Sequence, residues 1–327
     1  MTTQHMRAPT LSGIHAAAAK IAKILPETPL LPLEVHGTTV WCKAEVLQPV
    51  GAFKIRGAWH RLSDLSPDEA ARGVVGVSSG NHAQGVAWAA RRLGIPAVIV
   101  MPNDAPAVKL EATAAMGARI VTYDRPGGED RDEAAARVIA QTGGTLVHAF
   151  ADAWVIEGQG TAGLALSAQM ARPGPLGAGG PPTRIVTPCG GGGLAAGLAL
   201  ACPDAEIVPV EPEGWDDVGR SLAAGSIQQV GPDAPPTLCD ALQTPATRDI
   251  NFAILKTRCQ PGLWVSPSEV AEAQRLVFRQ LRLVVEPGGA AALAAVLAGK
   301  APVDGRTAVM LTGGNTDAAA FARVLTG

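Results

Sequence analysis

Apolar positions along the chain switch between two periods. Short apolar runs, 74-VVGVS-78, 97-AVIVMP-102, 119-RIVTY-123 and 145-TLVHA-149, read as strands. Between them, 81-NHAQGVAWAARRLG-94, 106-APAVKLEATAAMG-117 and 130-DRDEAAARVIAQTG-143 place apolar residues three and four apart, the spacing of one helix face. The alternation resumes with a helix over 155–171, a strand over 184–188, a helix over 194–202 and a strand over 206–212. A helix over 267–280, a strand over 283–287, a helix over 289–298, a strand over 307–312 and a helix over 316–326 complete it. Before this series, 11-LSGIHAAAAKIAKIL-25 reads as a helix stopped by Pro26, and 39-TVWCKAEVL-47 as a strand. Ser66, Pro67 and Glu69, and again Ser266, Pro267 and Glu269, spell a helix start with a capping box. Strands alternating with helices imply parallel sheets covered on their faces. The Pro/Gly stretch 171-ARPGPLGAGGPP-182 reads as a surface loop without chemistry.

Composition narrows the class. The chain has 327 residues, 47% hydrophobic and 17% charged, enough for a large core and two domains. A formal net charge of -2 gives no basic field for nucleic acid or an anionic membrane. No apolar run approaches the roughly 20 residues that span a bilayer. The polar start, MTTQHMRAPT, lacks the apolar region of a signal peptide, so a cytoplasmic location is expected. Cys42, Cys189, Cys202, Cys239 and Cys259 form no C-x-x-C pair, which argues against a zinc site or a disulfide framework.

The densest local signal is 189-CGGGGLAAG-197, which follows a strand and opens a helix. Backbone N–H groups of Gly190, Gly191, Gly192 and Gly193 can approach an anion there, aided by the helix dipole. The loop lacks G-K-[ST], so it is not a Walker loop. Gly191, Gly193 and Ala196 also satisfy G-x-G-x-x-[GA], with Glu211 about 20 residues on, which offers a nicotinamide-dependent oxidoreductase as an alternative. That motif normally opens its domain at the first strand, whereas several strands precede it here. A phosphate that is not part of a nucleotide is the preferred ligand.

Other polar clusters fall at strand ends: 78-SSGNHAQG-85, 284-VVEPGGAAAL-293 and 310-MLTGGNTD-317. In a parallel sheet such ends converge on one edge, so Lys54, Ser79, the Gly190 loop, Glu286 and Thr312 can share a crevice. Lys54 sits among Gly51, Ala52, Phe53, Ile55 and Gly57, where desolvation lowers an amine's pKa and makes it a nucleophile. A nucleophilic lysine beside a phosphate cradle suggests pyridoxal phosphate.

Taken together, residues 51–57, 78–84, 190–193, 286-EPGG-289 and 311-LTGGN-315 resemble the motifs of fold-type II pyridoxal-phosphate enzymes, in order along nearly the whole chain. The nearest likeness is to the serine/threonine dehydratase and serine racemase group. The resemblance implies an α/β fold like that of the tryptophan synthase β chain, with two open, mostly parallel sheets flanked by helices. It implies a large domain from residues 1–72 and 151–327 and a small mobile domain from 73–150. It assigns Lys54 as Schiff-base residue and Cα base, Phe53 as ring neighbour, and Asn81 as donor to the ring's phenolic oxygen. Gly190 to Gly193 take the phosphate, Glu286 lies in the cofactor site, and Thr312 faces the pyridine nitrogen where serine is commoner in the group. Ser79 matches the opposite-face acid/base of racemases. Ser78, Ser79, Asn81, His82 and Arg131 are implied to take the substrate carboxylate.

Val50 and Ala52 depart from the Thr and Ser common in the first motif. The stretch 211-EPEGWDD-217 is similar to the divalent-cation site of the group, with Glu211, Asp217 and the Trp215 carbonyl as ligands for Mg²⁺ or Ca²⁺. The activity implied is dehydration of an L-β-hydroxy amino acid (serine, threonine or 3-hydroxyaspartate) to a 2-oxo acid and ammonia. The departure of 237-TLCDALQTPATRDINF-252 from the usual pattern, with Arg131, leaves room for a dicarboxylic substrate. Serine or aspartate racemisation and β-replacement stand as alternatives within the class. No regulatory extension is expected after residue 327, and a homodimer is implied.

Overall fold

The computed structural model describes residues 7–78, 80–105, 107–125, 127–231 and 233–327, the side chains of 107–109 excepted. The first half contains α1 (Leu11–Ile21), β1 (Leu30–Val35), β2 (Thr38–Ala44), α2 (Lys54–Leu62), α3 (Pro67–Arg72), β3 (Val74–Val77), α4 (Asn81–Leu93), β4 (Ala97–Pro102), α5 (Ala107–Ala115), β5 (Arg119–Tyr123), α6 (Arg131–Thr142) and β6 (Thr145–Val147). The second contains α7 (Ala153–Met170), β7 (Arg184–Pro188), α8 (Gly193–Ala201), β8 (Glu206–Pro212), α9 (Asp217–Ala224), α10 (Asp249–Arg258), β9 (Leu263–Val265), α11 (Pro267–Leu276), α12 (Pro287–Leu297), β10 (Thr307–Leu311) and α13 (Ala318–Thr326).

Two sheets result. One has four strands in the order β5-β4-β3-β6, all parallel. The other has six in the order β1-β2-β10-β7-β8-β9, parallel except for the β1–β2 pair. Both expected capping boxes form, with Ser66 accepting from the Glu69 N–H and Ser266 from the Glu269 N–H. The expected strand over 283–287 does not exist. Every place beside β2, β10, β7 and β8 is filled, so this segment bonds elsewhere. The Gln274 amide donates to the Val285 carbonyl, and the Glu286 N–H donates to the Gly313 carbonyl.

α7 sets the position of the site. Along α7, Gly158 packs against α2, where an added Cβ would lie 2.5 Å from the Gly57 Cα. Two residues on, a Cβ on Gly160 would lie 2.8 Å from the Gly197 carbonyl oxygen of α8. Backbones this close hold α2 and α8 rigidly against one helix, because interiors at native density cannot absorb an extra methyl group without strain. Lys54 opens α2 and Gly193 opens α8, so α7 fixes the spacing between a lysine and a glycine loop. α2 also shares a core with the four-stranded sheet, through Ala58 and Leu62 beside Ala83, Val86, Ala87 and Ala90 of α4.

Candidate active site

The C-terminal ends of β3, β5, β6, β7 and β10 open onto one cleft of about 340 Å³. Its lining joins segments far apart in sequence: Phe53 and Lys54, Ser78 with Asn81 and His82, Arg131, Gly190 to Gly193, Glu286 and Thr312. Ser79 lies outside the described residues. The structure thus gathers the remaining sequence-expected cofactor and substrate residues around a single cavity.

Lys54 stands at the head of α2, facing the cleft. Part of its surface opens to the cavity, yet protein surrounds the amine, and burial pulls its pKa down to about 8. The amine donates to the Ala149 carbonyl at 2.7 Å and stands 5.2 Å from the centre of the Phe53 ring. Ala149 belongs to a turn after β6 that His148 ties down. The His148 Nδ1 accepts from the Ala151 N–H at 2.9 Å and the Phe150 N–H at 3.3 Å. Burial, then the nearby Arg131 charge, hold this imidazole near 3, so it stays neutral. Phe150 packs edge-on to it, with centroids 4.6 Å apart.

Phe150 explains two of the four glycines. A Cβ on Gly191 would sit 2.4 Å from its ring, and one on Gly193 would sit 3.0 Å from its Cα. Gly192 has φ +87°, a left-handed conformation that glycine adopts without strain. It precedes α8 with no side chain capping the helix, and Gly80 stands likewise before α4. Both first turns therefore keep N–H donors for an anion. By contrast Thr10, Asp130 and Asp152 cap their helices with side-chain oxygens, away from any ligand role.

Asn81 is oriented on both sides. Its Nδ2 donates to the Glu286 carboxylate at 2.5 Å, and its Oδ1 accepts from the Asn315 amide at 2.8 Å. One Nδ2 hydrogen remains for a ligand, so Glu286 acts on the site by aiming Asn81. His82 donates from Nε2 to the Val147 carbonyl at 2.8 Å, which leaves Nδ1 buried without a partner among the described residues. Burial, reinforced by Lys54, holds it neutral near 3. The Ser78 hydroxyl accepts from the Gly80 N–H at 3.2 Å. Arg131 meets only its neighbour Asp132, at 3.3 Å, within the described residues. Thr312 is 4% exposed and faces the same cavity.

Sequence reading missed several lining residues: Ala149, Phe150, Tyr123, Arg125, Asp240 and Thr244. Ala149 acts through a backbone carbonyl, which leaves no trace in residue identity. Arg125 sits in a bidentate pair with Asp104, at 3.0 and 2.8 Å. Its signal was available as the second arginine on the segment that carries Arg131.

Glu211 and Asp217 lie apart from the cleft lining. Glu211 is fully buried, and its two oxygens accept from the Val218 N–H at 3.0 Å and the Gly219 N–H at 2.7 Å. A carboxylate sealed beneath α9 cannot reach a ribose, which removes the nicotinamide alternative. Burial and then the Asp217 charge push Glu211 well up, and burial lifts Asp217 to about 7. Asp217 Oδ2 accepts from the Thr247 N–H at 2.8 Å, while its buried Oδ1 has no partner among the described residues. Trp215 donates its N–H to the Pro212 carbonyl at 3.0 Å. No group of three or more His, Cys, Asp or Glu side chains placed to hold a metal ion occurs among the described residues.

Comparison with known proteins decides the family. The family described as "Pyridoxal-phosphate dependent enzyme" matches residues 21–313. The chain belongs to this family. It is 36% identical to the L-threo-3-hydroxyaspartate ammonia-lyase of Saccharomyces cerevisiae over 331 residues, covering 98% of each chain. It is 40% identical to the enzyme of the same name from Pseudomonas sp over 296 residues, 89% of each. Among solved structures, the threonine deaminase of T.th. superposes with a TM-score of 0.84 at 42% identity, covering 94% of this chain and 99% of that one. The fold is therefore that of fold-type II pyridoxal-phosphate enzymes, within the serine/threonine dehydratase and serine racemase group. The cleft suits the cofactor on its own evidence: a buried amine whose pKa is lowered to about 8, an uncapped glycine turn for a phosphate, and a neutral hydroxyl at Thr312.

Proposed function

We propose that this pyridoxal-phosphate enzyme is an ammonia-lyase for L-β-hydroxy amino acids, with 3-hydroxyaspartate as its preferred substrate. The observation that carries the substrate is the pair of arginines, Arg125 and Arg131, lining the cleft that holds Lys54. The names of the two relatives above support the same reading.

Bound pyridoxal phosphate supplies an aldehyde for the amines and a ring that takes up the electron pair left at Cα. The chain's residues do the rest. Ser78 and the free N–H groups opening α4 receive the α-carboxylate, and Arg131 draws the second carboxylate of a dicarboxylic substrate. Ser79, next to Ser78 in the sequence, is the proposed second-face proton carrier. The Lys54 amine, neutral once its aldehyde is given up, removes the Cα proton. The β-hydroxyl takes up a proton and leaves as water, and the released enamine tautomerises to an imine that a second water hydrolyses to the 2-oxo acid and ammonia. Thr312 would hold the ring nitrogen of the bound cofactor with a neutral hydroxyl, which would favour expulsion of the leaving group over transamination. His82 and His148 stay uncharged beside Lys54, so neither opposes a positive charge on it.

Glu211 and Asp217 also fit a divalent cation. Two buried carboxylates, one with an unpartnered oxygen, need either a proton or a cation. With two carboxylates together among the described residues, backbone oxygens, that of Trp215 included, and water would complete the set, which suits Mg²⁺ or Ca²⁺. The proposal extends to a homodimer, a small domain over 73–150 closing on the cleft, and a cytoplasmic location.

The test is a 2-oxo acid assay with L-serine, L-threonine and both diastereomers of 3-hydroxyaspartate. Hydroxyaspartate should show the highest kcat/KM. Arg131→Met should lower that value roughly 10- to 100-fold, as expected for a lost charge-assisted hydrogen bond, and change serine turnover far less. Equal loss on both substrates refutes the assignment of Arg131. Chiral analysis of recovered substrate checks the racemase alternative.

A further inference from the structure

The Gly191–Gly192 peptide is a soft link in the glycine loop, since glycine on both sides lets a peptide plane turn over at little steric cost. The side chain of Thr247 restrains it. The Thr247 hydroxyl donates to the Gly191 carbonyl at 3.1 Å, and Thr247 is 1% exposed. Its own N–H is anchored on Asp217 Oδ2 at 2.8 Å, so the hydroxyl cannot drift with a loose loop. A trans peptide points its C=O and the following N–H in opposite directions. Holding the Gly191 carbonyl down onto Thr247 therefore aims the Gly192 N–H the other way. That way lies the cleft, since Gly191, Gly192 and Gly193 line it and Thr247 stands outside its lining. Beneath Gly192, Leu255 lies close, and Asn251 donates its Nδ2 to the Phe150 carbonyl at 3.0 Å.

We propose that Thr247 is a positioning residue for the cofactor: it locks the Gly191–Gly192 peptide so that the Gly192 N–H faces the phosphate. The inference rests on the assignment of this loop to the phosphate of pyridoxal phosphate.

The experiment compares binding of pyridoxal phosphate and of pyridoxal, which lacks the phosphate, to the full chain stripped of cofactor. Wild type, Thr247→Val and Thr247→Ser are measured by the absorption of the bound form. Thr247→Val keeps the shape and removes the hydroxyl, and should weaken pyridoxal phosphate roughly three- to tenfold, the range for one lost hydrogen bond. Pyridoxal affinity should stay at the wild-type value, the ³¹P resonance of bound cofactor should move, and Thr247→Ser should restore both. Equal weakening of the two ligands shows a merely structural role and overturns the proposal. So does unchanged affinity for pyridoxal phosphate. Should Thr247→Val not fold, Thr247→Ala against Thr247→Ser reads the same difference. A wild-type chain that binds no pyridoxal phosphate refutes the cofactor assignment instead, which is a separate outcome.

Discussion

The Lys54 amine carries a proton far more readily in the unfolded chain than in the folded one. Its ordinary pKa of 10.5 falls to about 8 on burial. Between those values the unfolded chain binds the extra proton, so stability of the cofactor-free protein rises with pH across that window. Below pH 8 the full cost of charging a buried amine applies. Lys54→Met should therefore raise the Tm of the cofactor-free protein at pH 7 and flatten its rise between pH 8 and 10. The same variant should lose the visible absorption of bound cofactor and all ammonia release. A lower Tm at pH 7, measured by thermal melts, would contradict a cost of burying this amine. Residue identity alone made much of this legible: a lysine among small and apolar neighbours is a rare placement, and the structure shows it desolvated. Its anchor was not legible. Ala149 contributes a carbonyl, and any residue has one. Phe150 looked like an ordinary core aromatic, and only the folded turn shows that it forces glycine at 191 and 193.

Elements were readable where the period was long and regular, and unreadable where tertiary contacts decide. β1, 30-LLPLEV-35, has Pro32 within it and Pro29 just before it and received no element from its sequence, yet an edge strand tolerates a residue without an N–H. The three residues of β9 are too few to show a pattern. In the opposite sense, 283-LVVEP-287 has the composition of a strand but no free ladder to join. α9 matters most at this scale, because its first turn seals Glu211 and begins with Asp217. With Asp217 raised to about 7 and Glu211 higher than usual, the folded chain holds protons that the unfolded chain has lost above the ordinary carboxylate range. Stability from this pair is thus greatest at acid pH and is lost as pH rises through about 7. On the proposed metal assignment, a divalent cation would replace the proton. Millimolar Mg²⁺ or Ca²⁺ should raise the Tm at pH 8 and have little effect at pH 5, and Asp217→Asn should abolish the response. A cation effect of equal size at both pH values would point to another site.

For the whole molecule, the chain order of the motifs disclosed one crevice assembled from both sheets, and the structure brings them to it. What the order could not disclose is the spine of α7, whose glycines record contacts with helices about 100 residues before them and about 40 after. No described helix is long and apolar enough to cross a membrane. Light scattering should find a particle of twice the 33.3 kDa chain mass, and a particle of one chain mass would remove the homodimer. The sheets themselves constrain how such a pair can form. Both are open, and each leaves two edges. In the six-stranded sheet, Pro32 and the exposed Glu34 interrupt the β1 edge, and β9 has only three residues, its Trp264 ring covered by the Lys300 ammonium at 4.5 Å. β6 is equally short, and the exposed Arg119 stands on β5. Edges blunted in this way do not recruit another chain's strand. In the proposed dimer two copies would therefore meet through helices and loops, and the protein could be concentrated without its sheets growing into one another.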